Sequence, residues 1–300
     1  MRSITTTSSG PPKPGNGCKS QRYTCPVFHY EMLRGVESSI LRLFCRNELP
    51  LMKNSSESFE YFAELGGIPL GFSFQYADTS KYLRRFTTSS KNVADSQVSV
   101  SQQEFDDWAA AGNKIDAFAE FCLLCQQASK RLFDADRCIF HAAAIRWRGR
   151  AWLIAGGSGV GKSTQCRILL ELWPDEFTII NGDKPVLECR KDGSVMVHPS
   201  PWNGKEGLGG AEAAPLAGIF FLSRGDEDAV ESVSPAQAAT RAFLCVFHDF
   251  ESTDVIRRAG TITKNILNSC PSWSVTSCNI PDSTRLIYET MSKEAETLGL

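Results

Sequence analysis

Residues 155–164 read Ala155-Gly156-Gly157-Ser158-Gly159-Val160-Gly161-Lys162-Ser163-Thr164. From Gly156 to Ser163 they fit the pattern G-x-x-x-x-G-K-[ST] at every specified position. The apolar run Trp152-Leu153-Ile154-Ala155 before it reads as a strand, and residues 163–172 after it read as a helix. Anion binding needs this order of parts. Glycines let successive backbone N–H groups turn toward one centre. A helix that begins there adds the positive end of its dipole. Lys162 would reach the β- and γ-phosphates, and Ser163 would offer its hydroxyl to Mg²⁺. The stretch predicts a nucleotide site with ATP and Mg²⁺ as cofactors, lined by Gly156, Gly157, Ser158, Gly159, Val160, Gly161, Lys162, Ser163 and Thr164. The alternative is an ordinary glycine-rich turn between a strand and a helix.

Such a loop needs a second metal ligand, usually an aspartate at the end of an apolar strand. Asp183 ends the run Thr178-Ile179-Ile180-Asn181-Gly182 and so holds that place. Ligands of open α/β sheets gather at strand C-termini, where the glycine loop also lies. The alternative is a turn aspartate after a glycine.

Further out, 138–147 and 151–155 read as two strands joined by the tight turn Arg148-Gly149-Arg150. Residues 185–190 and 194–198 read as a hairpin around Asp192-Gly193, a strong turn dipeptide. Strands are predicted over 178–180, 219–222 and 272–278, and helices over 234–247, 253–267 and 282–291. Alternating strands and helices predict an α/β core. Upstream, 58–63 and 69–76 form a hairpin around Gly66-Gly67, and 87–101 reads as a polar loop. Residues 101–132 follow helical spacing with an interruption near Gly112, and Ser101 with Glu104 makes a capping box.

The run Phe140-His141-Ala142-Ala143-Ala144, the glycine loop and Ile180-Asn181-Gly182-Asp183 together resemble the catalytic domain of HPr kinase/phosphorylase. That group is similar in fold to phosphoenolpyruvate carboxykinase. The resemblance covers 137–222, with a weaker match to the C-terminal helix-strand-helix, and leaves 1–136 aside. A bacterial branch of the group also carries a Ser-Pro-Trp-type segment after the metal aspartate, and some relatives phosphorylate a serine of a small peptide.

The resemblance implies an α/β fold: a P-loop core like the HPr kinase C-terminal domain, with a smaller α+β N-terminal region. It implies an ATP- and Mg²⁺-dependent kinase whose acceptor is a hydroxyl, favouring a serine of a protein or small peptide and leaving a small-molecule alcohol or acid open. Asp183 would be the metal-binding and catalytic carboxylate. The group shows two adjacent aspartates where this chain has Gly182-Asp183, so either Asp183 does both jobs or another residue is the base. His141 is one candidate, because the group places a histidine on the strand before the loop and an imidazole suits proton transfer near neutral pH. Its alternative is a core histidine. The single carboxylate also leaves open a nucleotide-binding regulatory or scaffold protein without turnover, and a phosphatase or phosphorylase using the same site. Oligomers are known in the group, so a homo-oligomer stays open.

The segment Ser200-Pro201-Trp202-Asn203-Gly204-Lys205-Glu206-Gly207-Leu208-Gly209-Gly210 is glycine-rich and charged. Lys205 would neutralise charge on a transferring phosphate, Glu206 would act as base or hold a second Mg²⁺, and Trp202 would pack against a substrate. A solvated connecting loop is the alternative. His198 and His248 carry no paired signal and read as surface or core residues.

Composition bounds the rest. Three hundred residues suit about two domains. The division is a tail over 1–21, an N-terminal α+β region over 22–134 and a P-loop kinase-like domain over 135–300. A net charge of −2, from 32 basic and 34 acidic residues, shows none of the basic excess of a duplex-binding surface. No apolar run approaches the length of a membrane span, and 1–21 has no apolar core like that of a secretory signal. The expected compartment is cytoplasmic, where thiols stay reduced. Eleven cysteines include the pair Cys122-x-x-Cys125, read as helix-face thiols or else a metal or redox pair.

Overall fold

The computed structural model describes residues 52–53, 59–86, 96–248 and 252–300. The expected tail over 1–21 lies outside the described residues. The first strands are β1 (Met52–Lys53), β2 (Phe59–Leu65), β3 (Ile68–Phe74) and β4 (Gln97–Ser99), which form a small sheet in that order. The β2–β3 hairpin turns at Gly66 and Gly67, both at positive φ (57° and 78°), the turn geometry that matches strand twist. The polar loop expected over 87–101 is overturned at its end: Gln97–Ser99 pairs in parallel with β3, and Val98 is buried between polar neighbours.

α1 (Ser80–Leu83) lies between β3 and β4, and α2 (Gln102–Ala110) and α3 (Ala117–Asp134) follow β4. The capping box at Ser101 and Glu104 is present. The helix expected over 101–132 is two helices. Gly112 at φ 81° leaves the helical region, and Asp116 starts α3 by accepting from the backbone N–H groups of Phe118 and Ala119 at 3.0 Å each.

From residue 137 the chain builds a ten-stranded sheet and four more helices. The elements are β5 (Arg137–Phe140), β6 (Ala142–Trp147), β7 (Arg150–Ala155), α4 (Lys162–Leu172), β8 (Phe177–Asn181), β9 (Val186–Cys189), β10 (Val195–His198) and β11 (Ala214–Arg224). Then come β12 (Ala229–Val233), α5 (Pro235–Cys245), β13 (Val246–Phe247), α6 (Thr253–Ser269), β14 (Ser272–Ser277) and α7 (Ile280–Thr297). The strand order is β13-β5-β9-β10-β11-β7-β6-β8, with β14 also on β11 and β12 on β14. β11 runs parallel to β7 and β14, and the other pairs are antiparallel. The fold is a mixed α/β architecture with one large sheet and, among the described residues, seven α-helices.

The central strands are buried on both faces, so they read as apolar runs rather than alternating ones. Leu153, Ile219 and Phe221 pack with Ile262 and Ile266 of α6 on one face. Trp152, Ile154 and Phe220 pack with Leu169 of α4 and Ile287 and Met291 of α7 on the other. A third cluster joins the small sheet and α3 to Ile139, Val186, Trp202 and Phe247.

The strand expected over 138–147 is broken at His141. Phe140 N–H donates to Pro185 O (2.9 Å), His141 N–H to Cys245 O (2.7 Å) and Ala142 N–H to Asp183 O (3.0 Å). β5 therefore pairs with β9 and β13, while β6 pairs with β7 and β8. The break lies beside Asp183, at the junction of two parts of the sheet. Likewise, the helix expected over 234–247 ends at Cys245, and its last two residues form β13. No helix among the described residues is long and apolar enough to cross a membrane.

His198 has a partner that its sequence did not announce. Glu188, across the β9–β10 hairpin, accepts from Arg137 at 2.9 Å and lies 3.0 Å from His198 Nε2 and 3.3 Å from Arg190. Arg137 also donates to Gly66 O, so the cluster fastens the first hairpin to β5. Burial pushes the Glu188 carboxyl up, but the hydrogen bond from His198 and the charges of Arg137 and Arg190 outweigh it and hold it low. A carboxyl held low stabilises the fold above its ordinary titration range and loses that contribution as pH falls. Glu188→Gln is expected to cost about 1 kcal/mol at pH 7, with the gap to the parent closing as urea unfolding is repeated toward pH 3. A gap that does not change with pH would remove the charge from this account.

Candidate functional site

The glycine loop joins the C-terminal end of β7 to the start of α4. Gly156 must be glycine: at φ 152° a Cβ there would lie 2.6 Å from Leu222 O of the neighbouring β11. A Cβ on Gly157 or Gly159 would meet nothing within 4 Å, so the middle of the loop opens outward. Lys162, the first residue of α4, folds its side chain back under the loop. Its Nζ donates to Gly156 O (3.0 Å) and Gly157 O (3.1 Å) and lies 3.2 Å from His141 Nε2. Ser163 stands on the first turn of α4, and Gln165 fastens that helix to α7 by donating to Ser283 Oγ at 2.7 Å.

His141 carries the chain of contacts onward. Its Nε2 is 3.3 Å from Asp183 Oδ1, and Asp183 Oδ2 accepts from Lys184 Nζ at 2.5 Å. One imidazole nitrogen cannot donate to a carboxylate and accept from an ammonium at once, so its proton decides which contact is a hydrogen bond. Burial lowers the His141 pKa, opposed by the hydrogen bond to Asp183 and assisted by the charge of Lys162. Burial raises the Asp183 carboxyl, but His141 and Lys184 outweigh it and hold it well below the usual carboxylate range. Asp183 is thus ionised, and its side chain is only 20% exposed. Burial likewise lowers the Lys162 ammonium, against the pull of Asp183.

Asn181 builds the turn that presents Asp183. Its Oδ1 accepts from Asp183 N–H (2.9 Å) and Lys184 N–H (2.7 Å), and its Nδ2 donates to Ser200 O (3.0 Å). Asn181 and Ser200 are fully buried, which couples this turn to the segment 200–210. Both residues lie in runs quoted from the sequence, but neither was given a role there. Their signal was the pairing of a strand-terminal Asn with the following Gly-Asp.

Position 182 has no room for a second carboxylate beside Asp183. A Cβ on Gly182 would lie 2.7 Å from Asn203 O and 3.2 Å from Leu208 O, both backbone atoms. Gly182→Asp is therefore expected to destabilise the fold by about 1–3 kcal/mol through overpacking rather than to supply a base. Equilibrium denaturation checks it, and an unshifted midpoint would refute the crowding.

Within the segment 200–210, Trp202 is overturned as a substrate contact. It is 4% exposed, stacks on Phe121 with centroids 5.7 Å apart and donates from Nε1 to Phe121 O (3.0 Å). It pins the segment to α3. Lys205 and Glu206 are exposed, and no hydrogen bond or ion pair joins either to the His141–Asp183–Lys162 chain. Glu206 lies near enough to α4 that its charge adds to burial in raising the Cys166 thiol to about 12. Cys125 is buried on α3, and burial holds its thiol well above the ordinary value. His248 is buried between Phe133 and Phe243.

The residues present suit a magnesium nucleotide. The open glycine loop and the lysine beneath it suit the phosphates, and the Ser163 hydroxyl and Asp183 carboxylate are the hard oxygen donors that Mg²⁺ favours.

Comparison with known proteins adds two likenesses. The family described as "SynChlorMet cassette protein ScmC" matches residues 118–246, less than half of the chain but all of the segment from His141 to Gly210. Among solved structures, the HPr(Ser) kinase/phosphatase from Coxiella burnetii is similar at 11% identity and a TM-score of 0.30, covering 53% of this chain and 96% of that one. A likeness that slight carries no argument about function. No curated protein matches the chain.

Proposed function

We propose that the protein is an ATP- and Mg²⁺-dependent phosphotransferase that moves the γ-phosphate to a hydroxyl, a serine of a protein or small peptide. One observation carries this: an unbroken chain of contacts, none longer than 3.3 Å, runs from the glycine-loop carbonyls through Lys162 and His141 to Asp183. It sets a phosphate cradle, a cation and an ionised carboxylate within one residue's reach of each other. Phosphoryl transfer needs little more than positioning and charge neutralisation.

In this reading the loop N–H groups and Lys162 hold the β- and γ-phosphates. Ser163 and Asp183 hold Mg²⁺, which when bound neutralises charge on the phosphates. His141, between Lys162 and Asp183, takes the proton of the acceptor hydroxyl as its oxygen bonds to phosphorus and the bond to ADP breaks. Lys205 and Glu206 sit on the rim where the acceptor enters. Residues 135–300 form the catalytic unit, and the described part of the N-terminal region is fastened to it through Phe121 and Trp202.

The crowding at Gly182 favours a second reading, a nucleotide-binding scaffold without turnover, because it rules out a second carboxylate at that position. Incubation with γ-labelled ATP and serine-containing peptides separates the two. Label on an acceptor supports the kinase. Tight ATP binding with no label on any acceptor or on phosphate supports the scaffold, and phosphate released from a phosphoserine peptide supports a phosphatase using the same site.

A further inference from the structure

We infer that the nucleoside of the bound nucleotide lies against Arg224, on the side of the glycine loop away from His141 and Asp183. This deepens the nucleotide reading above and rests on it. β7 delivers the loop between two neighbours. β6 lies on one side, with His141 and Asp183 at its end and beyond it, while β11 and then β14 lie on the other. Lys162 Nζ points to the first side, where it meets His141. The terminal phosphate of a triphosphate belongs there, so the rest of the molecule must leave toward β11.

Arg224 waits at that exit. Phe221 is opposite Ala155, the last residue of β7, so Arg224 continues β11 alongside the loop. Its Nη2 donates to Gly159 O at 3.2 Å. The contact is to a carbonyl, so it occupies none of the loop N–H groups that would gather phosphates. Arg224 is exposed, and among the described residues no carboxylate pairs with it.

The neighbouring turn is held firmly. Asp228 accepts from Cys278 N–H (2.9 Å) and Asn279 N–H (3.1 Å), which fixes the entry to α7. From there Ile280 brings its Cδ1 to 3.4 Å from where a Cβ on Gly161 would sit. A planar cation and an apolar side chain thus flank the loop on one side. A guanidinium face stacks on flat π-systems, so the occupant this pair fits is the planar base of a nucleoside triphosphate.

Titration calorimetry in Mg²⁺ tests this with two probes, ATP and inorganic tripolyphosphate, on the parent, Arg224→Ala and Arg224→Lys. Arg224→Ala is expected to weaken ATP about tenfold and tripolyphosphate less than about twofold, with Arg224→Lys between parent and Ala for ATP. Equal losses for both probes would overturn the subsite and assign Arg224 to the phosphates or to loop shape. No loss for either would overturn it as well. A parent that binds tripolyphosphate as tightly as ATP would overturn the subsite alone, whereas a parent that binds neither would overturn the nucleotide reading itself.

Discussion

Asp183→Asn is expected to lower phosphoryl transfer from ATP by about a thousandfold or more. The substitution keeps the shape of the side chain and removes its charge. That charge is asked to hold Mg²⁺ opposite Ser163 and to face His141 at 3.3 Å. An amide oxygen is a far poorer partner for a divalent cation than a carboxylate. The structure adds a consequence for stability. Asp183 Oδ2 is the counter-charge of Lys184, whose side chain is 24% exposed. Burial lowers the Lys184 ammonium, and the charge of Asp183 more than reverses this. Removing one member of a largely buried pair costs more than the pair itself contributes. Asp183→Asn should therefore also unfold more easily, and Asp183→Asn with Lys184→Met should regain stability without regaining turnover. Near-parental turnover in the single variant would remove Asp183 from the site. Recovery of turnover in the double variant would make its role structural.

Lys162→Ala is expected to lower turnover at least a hundredfold and to weaken ATP binding with it. Lys162 is 7% exposed and, among the described residues, is the side chain that donates to both Gly156 O and Gly157 O. Its loss leaves two loop carbonyls without a donor and removes the cation nearest the expected γ-phosphate. Lys162→Arg should not rescue the loss, because a planar fork cannot replace a compact ammonium that meets two carbonyls and an imidazole together. Turnover and affinity are read separately, by initial rates at saturating ATP and by calorimetry. A variant that loses affinity but keeps its saturated rate would make Lys162 an anchor for the nucleotide and no part of the transfer step.

Much of this was legible along the chain, because local chemistry made it so. Gly66-Gly67 and Asp192-Gly193 turn hairpins, Ser101 and Glu104 cap a helix, and the glycine loop stands between the apolar strand and the helix its pattern demands. The strand, loop, helix and strand that carry Lys162, Ser163 and Asp183 were likewise legible from spacing. Each of these features depends on residues a few positions apart.

What the sequence determined by itself was therefore the set of local parts: the glycine loop, the helix that follows it, and an aspartate at the end of the next apolar run. Only the tertiary structure decided how the parts meet. It broke the strand at His141, so that a histidine from one part of the sheet lies between Lys162 and Asp183. It buried Trp202 against α3, set Asn181 behind the Asp183 turn, crowded position 182 and brought Arg224 to the loop. None of these contacts has a sequence period. Each depends on which strands become neighbours in the sheet, and that order is decided by burial of the whole apolar surface rather than by any local pattern.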